Sequence, residues 1–334
     1  MKAMNGSAKK ILAVDLGGTK VAVALISPDG QILGRKQVPT CQDGPKEGIV
    51  QIIRLLKALL QENGVPLAEI LCAGVGIPAV LEPETDFVLW APNLKGWREV
   101  ALRPSLEQEL GVPVFIEYDG HAAVLGEWWK GGGRGYQSLV NVIIGTGIGG
   151  GMILDGRLVR GRDRLAGAAG WFALTTEPDQ QEQNARSLGH WETLAAGPGF
   201  TRYTQSQITN HPGSLLERMS QTEPLTVAHI FQAARQGDPL ADQMVKQWAG
   251  WLGLGIANIV SLTNPEIVIL GGGIGSQCDF ILPRIQQVVE QWAQPVSAGS
   301  VKIAASQLGG EAGLLGAAYG ALLRWYEEDH SIKE

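Results

Sequence analysis

Carboxylates beside glycine-rich turns are the residues of this chain whose types and spacing could do chemistry. Asp15 ends the apolar run 11–15 and leads into Gly17, Gly18, Thr19 and Lys20, while Gly145, Thr146 and Gly147 follow the apolar run 139–144. Turns of this composition present backbone amides without a side chain in the way, which suits an anion such as a polyphosphate. Two of them can grip one polyphosphate from opposite sides; two ordinary hairpins are the other reading. Asp119 follows the strand-like run 112–117 and precedes a helical stretch from Gly120 to Trp129. A carboxylate there reads on its own as a helix cap.

The elements that must position these groups occur twice. Strand, Gly-Thr turn, strand, Asp-Gly turn and third strand run from Ile11 to Arg35, and again from Leu139 to Arg160. Thr19 to Asp29 is ten residues and Thr146 to Asp155 is nine, so the two stretches read as versions of one meander. Apolar spacing predicts helices over 46–62, 104–110, 240–262 and 312–325, and strands over 70–77, 112–117 and 266–270. A meander followed by alternating helices and strands is the pattern of a three-layer α/β domain. The Gln-rich stretch 161–189 reads as a long excursion, of a length that is often functional. Gly253 and Gly255 inside the 240–262 helix predict a close backbone contact.

A chain of 334 residues with 45% hydrophobic content accommodates about two domains. Its net charge of −6, with no basic cluster, lacks the electrostatic footprint of nucleic-acid binding. About ten residues precede the first strand, too few for a DNA-binding module. No stretch has the length or apolarity of a signal peptide or a membrane span, so a cytoplasmic location is expected. Cys41, Cys72 and Cys278 are too scattered for a disulfide framework or a metal cluster.

Asp15 through Lys20, Gly76 to Pro78, Asn93 to Trp97, Asp119, Gly145 to Gly147 and Gly271 to Gly273 come in the order seen in the ROK family of sugar kinases and sugar-responsive repressors. The chain resembles that family from roughly residue 10 to 325. The resemblance implies two RNase H-like domains of the actin and hexokinase type with a cleft between them: 10–119, 120–311, and a final helix over 312–330 that packs back on the first. It implies ATP and Mg²⁺ as cofactors and a sugar or sugar-like polyol as acceptor, in a likeness to enzymes that form homo-oligomers such as dimers, with no nucleic-acid or membrane partner. Asp119 would be the base. Gly17, Gly18, Thr19, Lys20, Gly145, Thr146 and Gly147 would bind phosphates, and Gly271, Gly272 and Gly273 would admit adenosine. Asp15 would hold Mg²⁺, directly or through water, a role favoured because no other acidic group stands beside either turn in the sequence. Asn93 and Glu192 match sugar-contacting positions.

The departures fall on the acceptor side. Relatives carry a Glu and a zinc-binding His where this chain has Ala168 and Trp171, and no cysteine follows up to Trp191. No zinc site is expected, and His121 and His190 read as ordinary polar contacts rather than replacement ligands. Tyr118 stands where an Asn usually precedes the base. Trp171, Trp191 and Tyr118 are expected to line the acceptor pocket with aromatic faces. Acceptor-specific phosphorylation is the leading expectation. A sugar- and nucleotide-binding protein with little turnover, or an ATPase that works on a protein partner, is the alternative.

Overall fold

Runs of β-branched and small apolar residues build two sheets of one design in the computed structural model, which describes residues 9–176 and 188–331. In the first, β1 (Lys10–Leu16), β2 (Lys20–Ile26) and β3 (Ile32–Pro39) form an antiparallel meander, and β4 (Ile70–Ile77) and β8 (Val114–Tyr118) extend it in parallel from β1. Its order is β3-β2-β1-β4-β8. In the second, β9 (Leu139–Ile144), β10 (Ile148–Leu154) and β11 (Arg157–Leu158) form the meander, and β12 (Ile267–Gly271) and β13 (Lys302–Ala305) add in parallel, in the order β11-β10-β9-β12-β13. The duplicated plan expected from the two Gly-Thr turns is therefore present strand for strand. All of β4 is buried, as a central strand covered on both faces must be. A small sheet of β5 (Val80–Leu81), β6 (Val88–Trp90) and β7 (Arg98–Val100) stands beside the first.

The helices that cover these sheets are α1 (Pro45–Glu62), α2 (Leu102–Leu110), α3 (Asp119–Lys130), α4 (His190–Ala195), α5 (Gly197–Ile208), α6 (Leu215–Thr222), α7 (Val227–Arg235), α8 (Pro239–Thr263), α9 (Gly272–Gly275), α10 (Leu282–Trp292), α11 (Pro295–Ser300) and α12 (Ala312–Ser331). In α1 the buried Ile52, Leu56, Leu59 and Leu60 lie at helical spacing against the first sheet. α2 starts two residues before the expected Pro104, because proline in a first turn gives up an amide that has no helical partner anyway. β11 stops at Leu158, short of the expected Arg160, whose side chain turns away to Glu117.

Two helices join the sheets. Leu314, Ala317, Ala318 and Ala321 of α12 pack on Ile11, Ala13, Ala24 and Phe115 of the first sheet. Alanines and glycines let α12 lie directly on α3: a methyl group at Gly316 would overlap the Ala122 carbonyl oxygen, and one at Gly126 the Ala312 carbonyl oxygen. At the other end of α3, Gly120 lies so close to β10 that a methyl group there would overlap the Gly150 carbonyl oxygen. α3 thus touches the first sheet through α12 and the second through β10, and Asp119 opens it. The glycines of α8 have a different reason from the expected one: side chains, not backbone, fill their space, Val288 against Gly253 and the Trp191 indole against Gly255.

Candidate active site

Asp119 is the first residue of α3, directly after β8, and its Oδ1 accepts the Gly120 N–H at 2.8 Å. The helix start therefore draws on this carboxylate, and the residue as a whole is partly buried. Burial and the nearby negative charge of Asp15 push its carboxyl up to about 6, against the pull of the Gly120 amide and His121. Asp15, at the end of β1, is also raised by burial, with Lys20 and Arg35 opposing. Its carboxylate rests on the first turn of α12, where a Cβ at Gly313 would fall 2.9 Å from the carboxyl carbon. Asp15 ends β1 and Asp119 follows β8, with β4 between the two strands, and the charge of Asp15 still reaches Asp119.

Each glycine turn is held by its own local hydrogen bonds. In the first, the Gly17 N–H donates to the Lys20 carbonyl at 2.9 Å and the Thr40 hydroxyl donates to the Gly17 carbonyl at 2.7 Å, which leaves Thr19 and Lys20 exposed. In the second, the Gly145 N–H donates to the Gly147 carbonyl at 3.0 Å and Thr146 is exposed. Gly271 ends β12, Gly272 and Gly273 open α9, and a Cβ at Gly272 would fall 2.6 Å from the Ile144 carbonyl oxygen, just before the second turn. The third glycine group therefore adjoins Gly145.

The expected acceptor residues divide. Asn93 meets the first turn: a Cβ at Gly18 would fall 2.6 Å from its carbonyl oxygen, and its side chain is exposed. Glu192, on α4, meets the second turn. Its Oε2 accepts the Ile148 N–H at 2.7 Å and would lie 2.6 Å from a Cβ at Gly147. This corrects the expectation that Asp15 is the one acidic group beside a glycine turn. Burial raises the Glu192 carboxyl in spite of the Ile148 amide. Tyr118 bridges the two carboxylates electrostatically: burial, then Asp119 and Glu192, push its phenol well above the usual range, and its Oη would lie 3.3 Å from a Cβ at Gly149. Trp171 ends a short turn over 169–171 and is 60% exposed. Trp191 does not line the site. It is fully buried in the second core, stacked on Phe172 at 5.8 Å, and its indole N–H donates to the Trp251 carbonyl at 2.9 Å. Part of the excursion, 177–187, lies outside the described residues.

A polar cluster behind Asp119 was not legible as a unit in the sequence. Glu117, one residue before Tyr118, is bound by the Arg160 guanidinium at 2.8 Å and by His121 Nδ1 at 3.2 Å, and His121 Nε2 contacts the Ala166 carbonyl at 2.8 Å. Burial alone would raise the Glu117 carboxyl, but the hydrogen bonds and charges of His121 and Arg160 win and hold it at about 2. The fully buried Asp86 is paired with Arg103, Arg164 and Arg324. The four-residue spacing of Glu117 and His121 was the one available signal; nothing local marks Asp86. His190 Nδ1 accepts the Leu174 N–H at 2.8 Å. Among the described residues no group of three or more His, Cys, Asp or Glu side chains is placed to hold a metal, and no helix is long and apolar enough to cross a membrane.

Two sheets of repeated design, joined by closely packed helices, define an actin- and hexokinase-type phosphotransferase fold. The model of the ROK family matches residues 11–323, and the chain belongs to that family. It is 33% identical over 310 residues to a glucokinase of Thermotoga maritima, covering 92% of this chain and 96% of that one. It is 34% identical over 316 residues to a glucokinase of Streptomyces coelicolor, covering 92% and 96%. Among solved structures it superposes, with a TM-score of 0.80 and 32% identity, on a ROK family glucokinase from Streptomyces griseus in complex with glucose and AMPPNP, covering 94% of this chain and 99% of that one.

Proposed function

We propose that this chain, a ROK-family sugar kinase that is glucokinase-like in sequence and fold, transfers the γ-phosphoryl group of ATP to a hydroxyl of a sugar or sugar-like polyol whose recognition departs from that of ordinary glucokinases. The observation that carries the reading is Asp119 itself. It is a carboxylate at the start of α3 that burial and the charge of Asp15 hold up to about 6. In that reading Asp119 takes the acceptor proton, the amides of 17–19 and 145–147 hold the phosphates, and Gly271 to Gly273 admit the adenosine. Asp15, a hard oxygen donor whose charge already presses on Asp119, fits a Mg²⁺ held directly or through water. That ion would screen phosphate charge when bound.

On the acceptor side, Asn93 and Glu192 offer polar contacts from opposite turns, and Tyr118 and the exposed Trp171 offer aromatic faces. Ala168 and Trp171 give a methyl group and an indole where relatives place two polar groups. A buried hydroxyl left without a partner costs about 1–3 kcal/mol. Glucose is therefore expected to be a poorer acceptor, by at least about tenfold in kcat/KM, than a sugar lacking hydroxyls on that side or shaped to stack on Trp171. Acceptor-dependent ADP release over a panel of hexoses, amino sugars, deoxysugars and polyols tests both levels. ATP turnover that no acceptor stimulates would remove the kinase reading, and glucose as the best substrate would remove the specificity reading alone.

A further inference from the structure

The segment 160–171 carries Ala168 and Trp171, and before Ala169, which joins the second core, it has little apolar packing to hold it in place. None of residues 160–168 is buried, and Leu165 is exposed. Beneath the segment lies an apolar cavity of about 300 Å³, lined by Val140, Val142, Met152, Ala168, Phe172 and Ile259 among others. A loop over a cavity has few of the contacts that fix a side chain in a protein interior.

What the segment does have is a row of polar anchors onto the elements next to Asp119. Arg160 forks onto both oxygens of Glu117 at 2.8–3.3 Å, from the strand residue two before Asp119. His121, two residues after Asp119, holds the Ala166 carbonyl at 2.8 Å while its other ring nitrogen faces Glu117. Arg164 reaches Asp86 and the Pro83 carbonyl in the turn before β6, and adopts a left-handed backbone (φ 54°) to do so. Asp86 is itself fixed by Arg324 of α12 at 2.9 Å and Arg103 of α2 at 3.4 Å. Within the segment, the Ala166 N–H donates to the Arg160 carbonyl at 3.1 Å, so the anchors act on one closed loop.

We propose that Glu117, His121, Arg160, Asp86 and Arg164 are positioning residues that clamp the 160–171 loop, and so set Ala168 and Trp171 at a fixed distance from Asp119. The clamp rests on the proposed reading of this site as an acceptor pocket. It makes the position of the acceptor wall depend on charge pairing as well as on the packing of Ala169. Forked guanidinium pairing is the geometry that matters, since an ammonium is a point charge without two fixed coplanar donors to match the two carboxylate oxygens.

The test compares Arg160→Met, Arg164→Met and Arg160→Lys in the full chain. Its readouts are amide hydrogen exchange over 160–172, KM for the best acceptor, KM for ATP, and the thermal midpoint. Expected in the Met variants are faster exchange confined to 160–172 and an acceptor KM or kcat/KM worse by about ten- to a hundredfold, with KM for ATP unchanged. Arg160→Lys should fall between wild type and Arg160→Met. Unchanged exchange and unchanged acceptor kinetics would overturn the clamp, as would equal losses toward acceptor and ATP, which mark general destabilisation. If Arg160→Met does not fold, Arg160→Lys and Arg164→Met carry the same comparison. If the wild-type chain phosphorylates no acceptor, the kinase reading fails, while the exchange readout still decides whether the loop is clamped.

Discussion

Asp119 is asked to be ionised when it accepts a proton and yet sits where ionisation is unfavourable. Burial and the Asp15 charge put its carboxyl at about 6, near the pH at which a base is both deprotonated and proton-hungry. Replacing it in Asp119→Asn keeps size and hydrogen-bonding capacity but removes the proton acceptor, so kcat is expected to fall by about 10²–10⁴ while nucleotide affinity, read by calorimetry, stays nearly unchanged. Wild-type turnover in that variant would remove Asp119 from the reaction. The same shift fixes a pH dependence. The carboxylate is the active form, so kcat/KM should rise with pH and level off above about 6, reporting the free enzyme. A limb centred near 4 instead would mean that neither burial nor Asp15 raises this group. Stability carries the opposite sign, because a carboxyl whose folded value lies above its unfolded value favours the folded chain only while protonated. That contribution is present below about 4 and lost as pH rises through about 6, so Asp119→Asn should raise the thermal midpoint at neutral pH more than at pH ~4.

At the scale of elements, what was legible in the sequence was what local pattern encodes. The two Gly-Thr turns, the meanders around them and the helix at 45–62 follow from apolar spacing and turn composition, and they stand close to where those signals put them. What was not legible depends on partners far along the chain. Arg164 pairs with Asp86 across 78 residues and Arg324 with Asp86 across 238, so no window of sequence contains both ends. Trp191 shows the same limit from the other side: an aromatic residue beside a polar stretch says nothing of which face of a six-residue helix meets the core. The α3–α12 crossing lies between these cases. Its small residues were visible, but not that α3 was their partner. Gly316→Ala is expected to cost about 1–3 kcal/mol in denaturant unfolding, since its methyl group must displace the Ala122 carbonyl and with it the helix that begins at Asp119. An unchanged unfolding midpoint would mean that the helices can separate without loss.

The whole molecule is two copies of one sheet design held together by backbone contact between helices and by buried ion pairs, and the question at this scale is whether a metal also belongs to that framework. Thiolates are the ligands a structural zinc would need, and this chain is poor in them. Cys72 and Cys278 are buried, and burial pushes both thiols up to about 12, far from the range in which a thiolate forms readily. Cys41 is partly buried, and its Sγ–H lies 3.6 Å from Asp43 Oδ2, remote in sequence from the other two. The stretch from Phe172 to Trp191, where the resemblance would place zinc cysteines, contains no Cys, and its one His, His190, accepts the Leu174 N–H. The neighbouring 160–171 loop is held by the ion pairs of Arg160 with Glu117 and Arg164 with Asp86. The purified chain is therefore expected to carry far less than one zinc, and its thermal midpoint to be the same with and without chelator. Elemental analysis and a melting curve in chelator check this together. About one tightly held zinc per chain, with unfolding on its removal, would mean that a ligand set assembles from groups that sequence and side-chain placement both leave apart.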